Sequence, residues 1–341
     1  MRPRKRSEFG IAIICALPLE ADPIEALFDE TYDRFGELYG KESRDQNTYI
    51  TGRIGNHNVV LCIMPGIGRS PAASVASSLR LSFTGVQLAL VVGICGATPY
   101  TPDEQQIFLG DVIISDSVIQ YDLGRQYPGG FQRKTEVTDT LGRPSQEIRA
   151  LLKSLESKRS VKEFSNRTSQ NLDILQKCDQ DWRFPVSDDI LFESSFAHKH
   201  RTRDPSRMCD CFDEVNTEAI CTVASKTPCA ILGCDNYQLI RRRNNAEDRA
   251  ISIHIGKIAS ADTVMKSGVK RDQIVQLEEV LGFEMEGAGV WDNISCIIIK
   301  GVCDYADSHK SKEWQHYAAA AGASAAKSFL SIWTASPRQG S

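Results

Sequence analysis

Residues 283–289 read Phe-Glu-Met-Glu-Gly-Ala-Gly, and a short polar step then leads into the apolar run Cys296-Ile297-Ile298-Ile299. That run ends in Lys300-Gly301-Val302-Cys303-Asp304-Tyr305-Ala306-Asp307. A β-branched strand tipped by an acid is where α/β proteins usually place their chemistry. Glu284 and Glu286 are two apart, so an extended segment projects both from one face. Two acceptor-only groups side by side suit a ligand with neighbouring hydroxyls, such as the 2′ and 3′ positions of a ribose. A charged strand edge followed by an ordinary turn would explain Glu-x-Glu alone, but not the small residues and the acid-tipped strand as well.

The flanking chain alternates strands and helices. Residues 9–17 read as a strand and 20–28 as a helix opening behind Pro18. Residues 49–54 and 58–64 read as a hairpin turning at Gly55-Asn56. A small-residue helix over 70–83 precedes buried strands at 88–92 and 112–116, and residues 147–155 are again helical. A strand at 254–260, a helix at 272–280 and a closing helix at 317–333 follow. This order predicts an α/β fold, a sheet covered by helices on both faces. Periodicity fades from 156 to about 250, which reads as one long irregular insertion. The expectation is a single domain over 8–334, with tails at 1–7 and 335–341.

The segments at 283–289 and 300–314 resemble the nucleoside phosphorylase and nucleosidase superfamily, which includes purine nucleoside phosphorylases and methylthioadenosine/S-adenosylhomocysteine nucleosidases. Lys-Gly-Val-Cys-Asp-Tyr-Ala-Asp-Ser-His-Lys, residues 300–310, is most similar to the fungal branch, whose domains often stand at the front of NACHT, ankyrin or tetratricopeptide-repeat proteins. The resemblance implies a three-layer α/β/α fold with a central mixed, partly barrel-like sheet. It also implies roles for individual residues. Asp304 would protonate a departing purine, Glu286 and Met285 would hold the ribose, and Glu20 would activate water. On its own Glu20 is equally a helix N-terminal acid favoured by the macrodipole. Lys300 occupies the position of a basic residue near the sugar, and is otherwise a strand-end lysine reaching solvent.

Further matches place the rest of the pocket. Pro65-Gly66-Ile67-Gly68-Arg69-Ser70 follows a strand and opens a helix, a turn shared by both branches of the superfamily. In Gly93-Ile94-Cys95-Gly96 the glycines, with Cys95, let backbone approach the base and sugar. Phosphorylases carry an arginine just before this motif and a serine after its first glycine. This chain has Val91, or Leu90 in a slipped register, and Ile94 there, all apolar, which tilts the reading toward water as nucleophile. Ile94 also departs from nucleosidases, which often have the serine. Thr263, Val264 and Met265 would frame the purine, although Ala261 stands where the family usually has glycine; for Val264 and Met265 core packing is an equal reading. Trp314 would stack on the nucleoside, or pack in the core. Tyr121 and Asp122, placed by the resemblance near the subunit boundary and the 5′ end, favour a 5′-hydroxyl.

Composition sets the outer bounds. The 341 residues are 41% hydrophobic, enough for a large core, and a net charge of −4 gives no electrostatic case for nucleic acid or a membrane surface. No apolar run nears the about 18 residues of a membrane span. Arg2, Arg4, Lys5 and Arg6 precede an apolar stretch that closes with Pro18, Glu20 and Asp22, which reads as a first strand and not a signal peptide. The cysteine count, eleven and therefore odd, suits reduced thiols in the cytoplasm. Five cysteines gather between 209 and 234, with His198 and His200 upstream, but Cys209-x-Cys211 lacks the two-residue spacer of a zinc knuckle. The expectation is no metal and no cofactor.

Together these readings predict a purine nucleosidase acting on adenosine, inosine or guanosine. A phosphorylase, a methylthioadenosine-type nucleosidase and a catalytically silent nucleoside-sensing module stay open. The retained Glu20, Glu286 and Asp304 argue against silence. The resemblance further implies a homo-oligomer, a dimer first.

Overall fold

A computed structural model describes residues 2–201, 221–234, 238–243 and 250–334. Cys209, Cys211 and the tail 335–341 lie outside the described residues. In chain order the elements are β1 (Ile11–Cys15), α1 (Pro18–Ala26), β2 (Glu30–Asp33), β3 (Tyr49–Ile54), β4 (His57–Ile63), α2 (Arg69–Ser82), β5 (Leu88–Ala97), β6 (Val112–Gln120), β7 (Gly124–Tyr127) and β8 (Gly130–Arg133). Then come α3 (Gln146–Leu155), α4 (Lys158–Cys178), β9 (Asp189–Phe192), α5 (Cys229–Leu232), β10 (Leu239–Arg243) and β11 (Ile253–Ser260). The chain closes with α6 (Gly268–Glu278), β12 (Val280–Glu284), α7 (Gly287–Trp291), β13 (Cys296–Asp304) and α8 (Gln315–Ile332).

Nine strands form one mixed sheet in the order β12-β11-β6-β13-β5-β1-β4-β3-β2. β12 also pairs with β5, antiparallel, through Gly282↔Ala97 and Phe283↔Gly96, so five strands close into a barrel. β13 and β5 are parallel neighbours at its centre. All nine residues of β13 are buried, as expected for a strand covered on both faces. The register places Lys300 beside Gly93 and Asp304 beside Gly96, so both strands deliver their ends to one rim. β3 and β4 form the expected hairpin, turning at Gly55 with φ of 58°.

α8 lies on β5 and β13 and is apolar nearly all round, its alanines letting it sit close to the sheet. α1 and α4 flank it, and α2 packs with α7 in a separate group, giving the three-layer α/β/α arrangement. No helix among the described residues is long and apolar enough to cross a membrane.

Three expectations are corrected. The irregular stretch does not begin at 156, because α4 runs for 21 residues and buries Phe164, Thr168, Leu172 and Leu175 at helical spacing. A threonine in that stripe and Ser, Asn, Arg and Gln around it hide the period from a hydrophobicity count. Thr168 and Asn171 then hydrogen-bond Ser328 of α8 at 3.2 and 3.0 Å. Residues 2–7 are not a loose tail. Arg6 donates to the carbonyls of Ser82 and Tyr39, and Phe9 just beyond is fully buried. The helix read at 272–280 ends at Glu278, and Val280 already belongs to β12.

Candidate active site

The rim where β1, β5, β12 and β13 end opens into a cavity of about 860 Å³. Glu20, Cys95, Gly96, Thr263, Val264, Met265, Glu284, Met285, Glu286 and Asp304 all line it. That volume suits a small-molecule ligand.

Glu20 is the third residue of α1, behind Pro18, and 2% exposed. Its Oε2 accepts the amides of Ala16 and Leu17, each at 2.9 Å. Its Oε1 accepts the amide of Ile94 at 2.8 Å. Glu20 therefore ties off a helix start and also faces the cavity. Burial lifts its carboxyl above the ordinary value of 4.5, with Lys300 and the backbone donors opposing. The close approach requires Gly93, where an added Cβ would stand 2.0 Å from Glu20 Oε1. Gly93 thus lies under Glu20 and not on the cavity wall.

Glu284 and Glu286 do not form a parallel pair. β12 ends at Glu284, and Glu286 sits at the start of α7 with helical dihedrals, φ −109° and ψ −34°. Glu284 turns back to accept the amides of Glu286 and Gly287 at 2.9–3.0 Å. Glu286 is held from two sides: its Oε2 accepts Lys300 Nζ at 3.1 Å, and its Oε1 accepts the Gly68 amide at 3.3 Å. Gly68 reaches it from a left-handed φ of 110° at the start of α2.

Lys300 does not reach solvent. It is 1% exposed and stands between Glu286 and Glu284, the latter at 3.7 Å. Burial alone would lower its ammonium, but Glu286, Glu20 and Glu284 outweigh that and raise it. Burial lifts Glu284 in turn.

Asp304 closes β13. Its Oδ1 accepts the amide of Ala306 at 2.8 Å, across a turn in which Ala306 takes a left-handed φ of 52°. Its Oδ2 meets Lys310 Nζ at 3.2 Å and the Cys303 thiol at 3.2 Å. Lys310 was missed in the sequence, since only the reversed turn after Asp304 brings it back. Burial would lower its ammonium, and Asp304, Cys303 and Asp307 lift it instead.

The family model described as the phosphorylase superfamily matches residues 10–168. Futalosine hydrolase of Helicobacter pylori has the same architecture at 16% identity and a TM-score of 0.56, covering 96% of this chain and 99% of that one. The fold is the one seen in this hydrolase, and residues 10–168 carry the sequence pattern of the phosphorylase superfamily. A second solved structure of this fold is the 5′-methylthioadenosine/S-adenosylhomocysteine nucleosidase of Neisseria meningitidis in complex with methylthio-immucillin-A, at 15% identity and a TM-score of 0.54, covering 94% and 98% of the two chains. A nucleotide-binding leucine-rich repeat (NLR)-like protein of Hyaloscypha variabilis is 31% identical over 332 residues. That match takes in 95% of this chain, which spans 29% of the relative's length.

Trp314, Tyr121 and Asp122, expected as ligand contacts, do not line the cavity either. Trp314 is 2% exposed and packs edge-on against Phe184 and Tyr317, with centroids 5.2 and 5.9 Å away. Its neighbours Glu313 and Gln315 line the cavity instead, because one position along a helix start turns the side chain away. Tyr121 and Asp122 also lie off the lining. Tyr121 packs on Phe283 and donates to the Thr263 carbonyl at 3.0 Å. Asp122 accepts Arg69 at 3.5 Å and the Asp262 amide at 3.0 Å. The cavity also takes in Ile67, Phe283 and Lys310, none of which the motifs marked as ligands.

Proposed function

We propose that this chain hydrolyses the N-glycosidic bond of a purine ribonucleoside, adenosine, inosine or guanosine, to free base and ribose. The observation that carries the reading is that Glu20, near one end of the sequence, and Glu286 and Asp304, near the other, line one cavity. Cleaving a ribosyl C–N bond builds positive charge on the sugar and negative charge on the purine. Glu20 has backbone donors on about three of its four acceptor positions, so one remains for an attacking water. Glu286, fixed by Lys300 and Gly68, accepts the ribose hydroxyls. Three buried carboxylates around one ammonium leave a net negative surrounding that favours a cationic sugar. Asp304 serves as general acid to the departing purine, and Lys310, 3.2 Å away, stabilises the carboxylate left behind.

Water is favoured over phosphate because no arginine lines the cavity among the described residues. Arg69, the basic residue of the glycine turn, is held by Asp122 and Asp262. One domain, acting in the cytoplasm as a homo-oligomer with a dimer first, completes the proposal. The test is base release from adenosine, inosine, guanosine and methylthioadenosine, each with and without phosphate. Methylthioadenosine belongs in the panel because the Tyr121–Asp122 pair, expected to select a 5′-hydroxyl, is committed elsewhere. Free ribose without phosphate, lost in Asp304→Asn, is the expected result; release only with phosphate would make it a phosphorylase.

The likeness to an NLR-like protein favours a second reading, a nucleoside-sensing module of a longer chain. Binding without turnover under either condition would put that reading first.

A further inference from the structure

The insertion brings together side chains that the substrate cavity does not use. His198 follows β9, Cys229 opens α5, and Cys234 comes just after Gly233, which ends α5 in the left-handed conformation with φ of 70°. This single helical turn folds Cys229-x₄-Cys234 so that both sulfurs face one imidazole. His198 Nδ1 is 3.5 Å from Cys229 Sγ and 3.5 Å from Cys234 Sγ. The three ligand atoms all lie within 4.8 Å of one another. Zn–N bonds of about 2.0–2.1 Å and Zn–S bonds of about 2.3 Å, at a tetrahedral angle, set nitrogen and sulfur about 3.6 Å apart. The spacing is already that of a metal-ligand edge, and both cysteines are free of disulfides.

Two further observations point the same way. His198 Nε2 lies 2.8 Å from the carbonyl of Thr227, so Nε2–H donates there and Nδ1 turns its lone pair toward the sulfurs. Metal-bound histidines are commonly held by such a bond on the far nitrogen. His309 is the second observation. Its side chain is 4% exposed, and among the described residues neither buried ring nitrogen has a hydrogen-bond partner. Its ring lies 5.2 Å from that of His198 and stacks on Phe192 at 4.0 Å. Asp307 stands 3.9 Å from its Nδ1, the place of an outer carboxylate partner.

We infer that His198, Cys229, Cys234 and His309 form a structural zinc site that fastens the insertion to the loop after Asp304. Two thiolates and two imidazoles select zinc over the hard, oxygen-seeking cations. The site would fix a wall of the substrate cavity. Ser225, Lys226, Thr227 and Pro228 line that cavity just before Cys229, and Lys310, the partner of Asp304, follows His309 directly. The ion would take no part in bond cleavage.

Elemental analysis of the purified chain should give about one zinc per molecule. Cobalt(II) in its place should show the thiolate charge-transfer band and intense visible bands of a tetrahedral site. Cys229→Ser with Cys234→Ser should lose the metal and lower Tm, and His309→Ala should weaken zinc binding at least about tenfold. Zinc below one-fifth of stoichiometric after purification in zinc-supplemented buffer would overturn the site. So would zinc held undiminished by the double cysteine variant. If that variant does not fold, the cobalt spectrum of the unsubstituted chain decides, and an octahedral spectrum would sink the inference. None of these readouts depends on nucleoside turnover, so failure here and failure of the proposed activity are separable.

Discussion

Glu284 and Glu286 stand two residues apart in sequence and have different tasks. Glu284 spends its oxygens on the amides of Glu286 and Gly287, whereas Glu286 offers its carboxylate to the cavity from a support of Lys300 and Gly68. Glu284→Gln is therefore expected to lower stability by about 1.5–3 kcal/mol, the range for hydrogen bonds to a charged group, as read from chemical denaturation. Glu286→Gln should lower kcat/KM as well as Tm, because it strips the buried Lys300 of its nearest counter-charge; a kcat/KM no lower than that of Glu284→Gln would contradict this division. Asp304→Asn should reduce kcat about 10²–10⁴-fold, the usual contribution of a positioned acid, with nucleoside binding retained by calorimetry. Glu20 sets the pH dependence. Its carboxyl is raised above 4.5 and must be ionised to take a proton from water, so activity falls as pH drops through that raised value. The acid limb of kcat/KM should lie above pH 4.5; a limb at or below it would remove Glu20 as the base. These acids were legible in the sequence as acids at strand ends, but the division of labour was not. A period-two reading places 284 and 286 on one face, and the strand stops between them.

Elements meet here through small residues. Gly93 of β5 lets α1 bring Glu20 against the strand, and a Cβ would stand 2.0 Å from the carboxylate. Gly93→Ala should displace Glu20 by a fraction of an ångström to an ångström and lower kcat/KM about 100-fold, with the far-UV circular dichroism unchanged. A fully active Gly93→Ala enzyme would show that Glu20 tolerates displacement and is not the base. The strands of this region were legible because both faces are covered and the residues run Val, Ile and Leu without interruption. α4 was not legible. It is a helix whose buried stripe includes Thr168 and whose contacts with α8 are partly hydrogen bonds, so hydrophobic periodicity understates it.

At the scale of the whole molecule, the mixed sheet, in which β5 lies between β1 and β13, brings together residues from near both ends of the chain. Glu20 and Asp304 lie 284 positions apart in numbering and share one cavity. Trp314 belongs to the packing behind that cavity. Trp314→Ala should cost about 3–5 kcal/mol of stability by denaturant titration, while Trp314→Phe should leave KM within about twofold of the parent. A tenfold rise in KM for the phenylalanine variant would restore Trp314 as a ligand contact. The sequence by itself determined the strands and helices that flank the site, the acids at the strand ends and the glycine turns, because those depend on neighbours within a few residues. Only the tertiary structure decided that Lys300 is buried among carboxylates, that Lys310 returns to Asp304, and that Tyr121, Asp122 and Trp314 face other partners. Such outcomes depend on which strand lies beside which and on where a turn reverses the chain. Burial and partnership are properties of elements brought together in space, and no local pattern of residues encodes them.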